Sequence, residues 1–191
     1  PALRDLFVSL LVAEADAPAG GGSGDFFLAR IDRLLDLGDL EPAQALLEKA
    51  DRSNPEVFRR WFDVTLLTGT EDSACAFMQD GPALAPTFPA RIFCLARRGD
   101  WNAAALTLST ARTLGDLTAE EDALLTRFLD PEAFDGEPPL AAPSRPSPLL
   151  YRLREAIGEP VSAATLPRAF AHADLRPVAA WRNQIEAAEK L

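Results

Sequence analysis

FLARIDRLLDLGDLEPAQALLEKA, residues 27–50, decides how the fold is read. Phe27, Ile31, Leu34 and Leu35 recur at i, i+4, i+7 and i+8, which places them on one helix face. Gly38 ends that helix as a C-cap. Asp39 caps the next helix, whose apolar face is Ala43, Leu46, Leu47 and Ala50. Asp25, just upstream, is the expected N-cap of the first helix. The stretch therefore predicts two helices joined by a tight turn, each with an apolar stripe that it cannot hide alone.

The same punctuation recurs downstream. Gly38, Gly69 and Gly99 are 31 and 30 residues apart (69 − 38 and 99 − 69). Five residues after each glycine stands an alanine, Ala43, Ala74 or Ala104. Seven before stands Ile31, Phe62 or Ile92, and nine after stands Leu47, Met78 or Leu108. Asn54-Pro55 is a start signal, an N-cap followed by proline at the first helical position. Phe58, Trp61, Phe62 and Leu66 give that helix its stripe. Three hairpins follow from this pattern, with the alanines allowing close approach and the large residues filling the space between hairpins. Units of this kind stack, because none buries its apolar face by itself.

Beyond Gly115, Thr118-x-x-Glu121 is a capping box ahead of Leu124, Leu125 and Phe128. Residues 136–148, GEPPLAAPSRPSP, hold five prolines and predict an extended connector. Ser147-Pro148 opens a helix with Leu150, Leu153 and Ile157. Pro167 opens the next, with Phe170, and Pro177 a last one with Val178, Trp181, Ile185 and Ala188 on one face. Upstream, residues 2–14 are a short apolar helix, and APAGGGSG (17–24) is a linker. The expected organisation is 1–24 as helix and linker, 25–135 as hairpin repeats, 136–148 as connector and 149–191 as C-terminal helices.

The segments LLDLGDLEPAQALLEKA (34–50) and CLARRGDWNAAALTLSTA (94–111), with a weaker middle copy LLTGTEDSACAFM (66–78), resemble the tetratricopeptide family. That resemblance implies an all-α fold of stacked antiparallel hairpins, a solenoid, with further C-terminal helices. The spacing is shorter than the family's 34-residue repeat, and the family's tryptophan and tyrosine positions in the first helix are not kept. ARIFCLARRGDWNAAALTL (90–108) and LREAIGEP (153–160), taken with residues 27–50, are also similar to uncharacterised helical proteins of α-proteobacteria. This second resemblance implies no activity. It points to a periplasmic or envelope location, with the cytoplasm as the alternative.

Composition narrows the classes. Of 191 residues, 48% are hydrophobic and 25% charged, as in a globular protein. Alanine and leucine are abundant, while valine, isoleucine and tyrosine are scarce, which favours helix over strand. The net charge of −10 opposes nucleic acid and anionic membrane surfaces as partners. No stretch approaches the roughly 20 apolar residues of a membrane span. The chain opens on Pro1 with no signal-peptide pattern, and both ends read as places where a longer chain continues.

Candidate chemistry is sparse. GGGSG lacks the Gly-Lys-Ser/Thr ending of a phosphate loop, and no strand precedes it. His172 is the only histidine, and Asp174, two residues on, would not share its helix face. Glu120, Glu121 and Asp122 fit the first turn of a helix, where carboxylates favour the dipole. Cys75 and Cys94 form either a disulfide or two buried thiols, and with one histidine they do not make a zinc site. Arg59, Arg60, Arg97 and Arg98 form a candidate basic stripe for an acidic peptide or carboxylate. Trp61, Trp101 and Trp181 belong to the core or, if exposed, are partner anchors. The expected function is a non-enzymatic scaffold or adaptor for a protein or peptide, with no catalytic residue, cofactor or metal. The alternatives are a structural module of a larger envelope protein and an enzyme or ligand binder with an unfamiliar site.

Overall fold

Glycine turns and polar caps set the helix boundaries in the computed structural model, which describes residues 2–20, 24–143, 145–175 and 181–191, leaving aside the side chains of 181–183 and 186. Among the described residues the protein is all-helical, with no strand. The α-helices are α1 Ala2–Val12, α2 Asp25–Leu37, α3 Leu40–Lys49, α4 Pro55–Thr68, α5 Glu71–Asp80 and α6 Phe88–Arg97. They continue with α7 Trp101–Leu114, α8 Ala119–Leu129, α9 Pro148–Ala156, α10 Ala171–Asp174 and α11 Trp181–Lys190. Part of the expected 17–24 linker, residues 21–23, lies outside the described residues, as do Pro177, Val178 and the side chain of Trp181.

The caps are made by the residues the sequence offers. The Asn54 side chain accepts the Glu56 amide at 2.9 Å, and Asp100 accepts that of Ala103 at 3.1 Å. Thr118 and Glu121 complete a reciprocal capping box, and Ser147 accepts the Leu150 amide at 3.2 Å. Two expectations change. Gly24, with φ 92°, is the N-cap of α2, so Asp25 is its first helical residue and serves the dipole. Asp39 holds the N-cap position of α3 without bonding the helix; its Oδ1 accepts instead from the Arg4 guanidinium at 2.9 Å.

The chain forms two compact units, residues 1–69 with 162–191, and residues 70–161. The division falls at the second glycine turn. α4 and α5, expected as the middle hairpin, therefore belong to different units. α4 commits its apolar residues to its own unit, burying Phe58, Trp61, Phe62 and Leu66 while packing on α3 and α10. α5 packs on α6.

In the first unit, Ile31, Leu34, Leu40, Ala43 and Leu47 of the α2–α3 hairpin are buried with Phe58 and Trp61. Burial of each such large side chain is worth about 1.5–3 kcal/mol. Residues 162–191 return to this unit. His172 Nε2 lies 2.5 Å from the Gly38 carbonyl, so Nε2 carries the proton and donates. Arg168 Nε donates to the Lys190 carbonyl at 2.7 Å, and Lys190 Nζ donates to the Ala163 carbonyl at 2.7 Å. Lys190 fixes the rotation of α11. Ala187, three residues before it, is buried, whereas Ile185 and Ala188, both expected inside, are exposed.

In the second unit α6 and α7 form the main hairpin, with Ile92, Phe93, Ala104, Leu108 and Ala111 buried beside Leu124, Leu125 and Leu153. Among its described residues the proline-rich segment is irregular up to Pro148, which opens α9, yet it is held. Buried Arg154 donates to the carbonyls of Leu140, at 3.0 Å, and Ala141, while Glu159 accepts the Leu140 amide at 2.9 Å. Arg127 reaches both Glu159, at 2.7 Å, and the Pro138 carbonyl, at 2.9 Å. Glu71, 1% exposed, sits between the guanidinium groups of Arg97 at 3.1 Å and Arg152 at 2.7 Å. A carboxylate so far from water is tolerable only with both partners, and losing one would cost about 3–5 kcal/mol.

Gly38 combines two constraints. Its φ is 77°, with its amide and that of Asp39 donating to Leu35 and Leu34, and a Cβ there would stand 2.9 Å from Arg168 Cγ. Gly99, at φ 84°, has open space around the same position. Gly38→Ala should therefore cost more than the ~1 kcal/mol expected of Gly99→Ala in urea titrations. Arg168→Ala in the Gly38→Ala background should recover the excess; equal losses at both glycines would contradict the crowding.

Candidate functional site

The seam between α5 and α6 runs antiparallel and is fastened twice. Glu71 meets Arg97, and one turn along α5 Cys75 is joined to Cys94 by a disulfide, with Cα atoms 5.1 Å apart. Beyond the disulfide the helices flank a cavity of about 340 Å³. Its apolar lining is the disulfide with Met78, Pro82 and Leu95. Its polar lining is Gln79, Arg91, Arg98 and Asp100. A neighbouring hollow of about 390 Å³ shares Pro82 and Arg91 and adds Ala85, Pro86, Thr87, Phe88 and Asp116. α5 and the loop 81–87 supply one side of this groove and α6 the other.

Arg91 and Arg98 are exposed, stand seven residues apart along α6, and make no ion pair with any described residue. Asp100, the nearby carboxylate, is occupied as the N-cap of α7, bonded to the Ala103 amide. The site thus offers two free guanidinium groups over a buried apolar floor, in which Cys75, Met78 and Cys94 are 2–4% exposed. Guanidinium forks bind carboxylates bidentately, and a floor of this kind takes an aliphatic side chain.

Of the four arginines singled out in the sequence, only Arg98 lines the cavity. Arg59 pairs with Glu56 at 3.5 Å, and Arg60 pairs with Asp32 at 2.6 Å and Glu56 at 2.9 Å. Arg97 is committed to Glu71 and Asp72. Arg59 and Arg60 belong to the first unit and Arg97 and Arg98 to the second. Arg91 was missed. Its signal was the interval to Arg98, seven residues or about two helical turns, which returns it to the same side of α6.

The remaining candidates have structural partners. Asp174 accepts the Ala163 amide at 3.1 Å, while His172 faces Gly38. Glu121 closes its capping box and Asp122 accepts from Arg112 at 2.5 Å. Trp61 is buried; Trp101 is 51% exposed, its ring 6.2 Å from that of Phe128. Among the described residues no group of three or more His, Cys, Asp or Glu is placed to hold a metal ion, and no helix is long and apolar enough to cross a membrane.

Charge in the first unit is strained at one point. The hydrogen bond from Arg60 holds the Asp32 carboxyl below its usual range. Asp63, half-buried on the same helix as Arg59 and Arg60, goes the other way: burial pushes it up to about 6 against the pull of both arginines.

Comparison with known protein families, curated proteins and solved structures finds no match to this chain.

A raised carboxyl pKa costs stability where the folded state must carry the charge. Its penalty is absent below pH ~4, grows up to pH ~6 and is complete above. Asp63→Asn should therefore stabilise the protein by up to about 3 kcal/mol at pH ~8, a gain that shrinks through pH ~6 and vanishes near pH ~4. Urea midpoints across that range measure it, and a pH-independent effect would refute the assignment to Asp63.

Proposed function

We propose that the protein is a non-enzymatic helical-repeat scaffold or adaptor that holds a protein or peptide partner in the groove beside the α5–α6 seam. The observation that carries this reading is the pairing of an apolar, disulfide-floored cavity with two guanidinium groups left without carboxylates. Such a surface can seat one side chain of a partner and orient it by charge, as binding grooves on helical arrays do. The tertiary frame behind it, fixed by Glu71 and the disulfide, supports a preformed site, which lowers the ordering cost of binding.

A photo-crosslinking side chain at Gln79, introduced into the full chain in its native cell, should give a discrete higher-mass adduct. The same group at Ser109, exposed on α7, should give none. No adduct at 79, or equal labelling at both positions, would remove this groove as the partner site.

We also infer an oxidising compartment, the periplasm or cell envelope, on the support of the Cys75–Cys94 bond. Denatured protein from the native cell, kept from reductant, should titrate with no free thiol. Two titratable thiols would return the chain to the cytoplasm.

A further inference from the structure

The second unit contains eight arginines (91, 97, 98, 112, 127, 145, 152 and 154), no lysine, and fourteen Asp and Glu residues (71, 72, 80, 100, 116, 120, 121, 122, 130, 132, 135, 137, 155 and 159). In so acidic a unit a guanidinium group finds a partner readily, and five of the eight have one: Arg97, Arg112, Arg127, Arg152 and Arg154. Of the three without an ion pair among the described residues, two line the same cavity. They stand at its opposite ends along α6, with Cys94 and Leu95 between them. From this we infer that the groove binds an acidic peptide segment of the pattern acid–x–apolar–x–acid, in extended form. This deepens the scaffold reading and rests on it.

The geometry sets the pattern. Arg91 and Arg98 are about 10 Å apart along the helix, at 1.5 Å per residue. An extended peptide advances about 3.3 Å per residue and turns every second side chain to one face, so acids four residues apart are separated by about 13 Å. The long arginine side chains absorb the difference. The residue midway between the acids then faces the floor of Cys75, Met78 and Cys94, which accepts an aliphatic group. Charge complementarity is local: Asp100, in the same lining, is engaged by the first turn of α7, whose dipole offsets its charge, and salt screens more distant carboxylates over about 8 Å. A nucleic acid fits less well, because a continuous run of phosphates would meet Asp100 and Asp116 of the groove lining, whereas the peptide carries only two acids.

The test is fluorescence anisotropy of the full chain with a labelled peptide, Gly-Glu-Ser-Leu-Ser-Glu-Gly. Saturable binding is expected, weakened as salt rises. Arg91→Glu with Arg98→Glu should reduce it about tenfold or more, whereas Arg145→Glu, the third unpaired arginine, should leave it within about twofold. Replacing the peptide leucine by serine should also weaken binding, and Gly-Lys-Ser-Leu-Ser-Lys-Gly should bind the double-glutamate variant better than the native chain. Unchanged helical circular dichroism certifies the variants. Should the double variant fail to fold, Arg98→Gln gives the same reading on a smaller scale. No saturable binding, or equal loss with Arg145→Glu, overturns the inference. So does displacement of the peptide by oligothymidylate with the same dependence on Arg91 and Arg98, which would hand the groove to nucleic acid. If the peptide fails while the adduct at position 79 persists, the scaffold reading stands and only the acidic pattern falls.

Discussion

Glu71 is buried at the first residue of α5, and its carboxylate is held by guanidinium groups from α6 and α9. Neither the helix register of the second unit nor the shape of its groove is independent of that arrangement. An ionised group so far from water requires both partners in place, which ties the first turn of α5 to the end of α6 and the middle of α9. The disulfide one turn further along repeats the restraint covalently. With two fastenings four residues apart on α5, the helix can neither slide nor roll against α6, and the hollow beyond them keeps a defined outline.

The same interaction explains which arginine is available. Arg97 and Arg98 are adjacent in sequence and differ by about 100° around the helix. Arg97 points to the seam and is consumed by Glu71 and Asp72. Arg98, at the C-cap, is turned to the cavity side with Arg91. Ion pairing elsewhere is dense: Arg127, Arg154 and Glu159 pin a proline-rich segment that has no backbone ladder of its own. Among the described residues of the second unit, carboxylates thus pair with five of the eight arginines and make the exceptions conspicuous.

Much of the local structure was legible in the sequence, because its causes are local. Gly38, Gly69 and Gly115 adopt the left-handed conformation at helix ends, and Asn54, Asp100, Thr118 and Ser147 bond the first turns they precede. Apolar periodicity located α2, α4 and α6. What escaped was long-range. Nothing in the spacing of Gly69 announces that α4 and α5 serve different units; that follows from which apolar faces find partners. The rotation of α11 depends on Lys190 meeting carbonyls more than twenty residues upstream. The burial of Glu71 and Arg154 has no local signal, since burial of a charge is visible only when its partners are. The site was half legible: Arg98 and the cysteines stood out, whereas Arg91 needed the α6 surface to give it meaning.

The first unit is discontinuous, its opening 69 residues being joined by the last 30. A ribosome delivers those two parts at separate times, with the whole of residues 70–161 made between them. The second unit, a single uninterrupted run, has all of its residues out before the final segment appears. Gly38 and the face of α4 that receives α10 must wait, their partners not yet translated. Synthesis therefore imposes an order in which residues 70–161 can mature before residues 1–69 receive the segment that completes them.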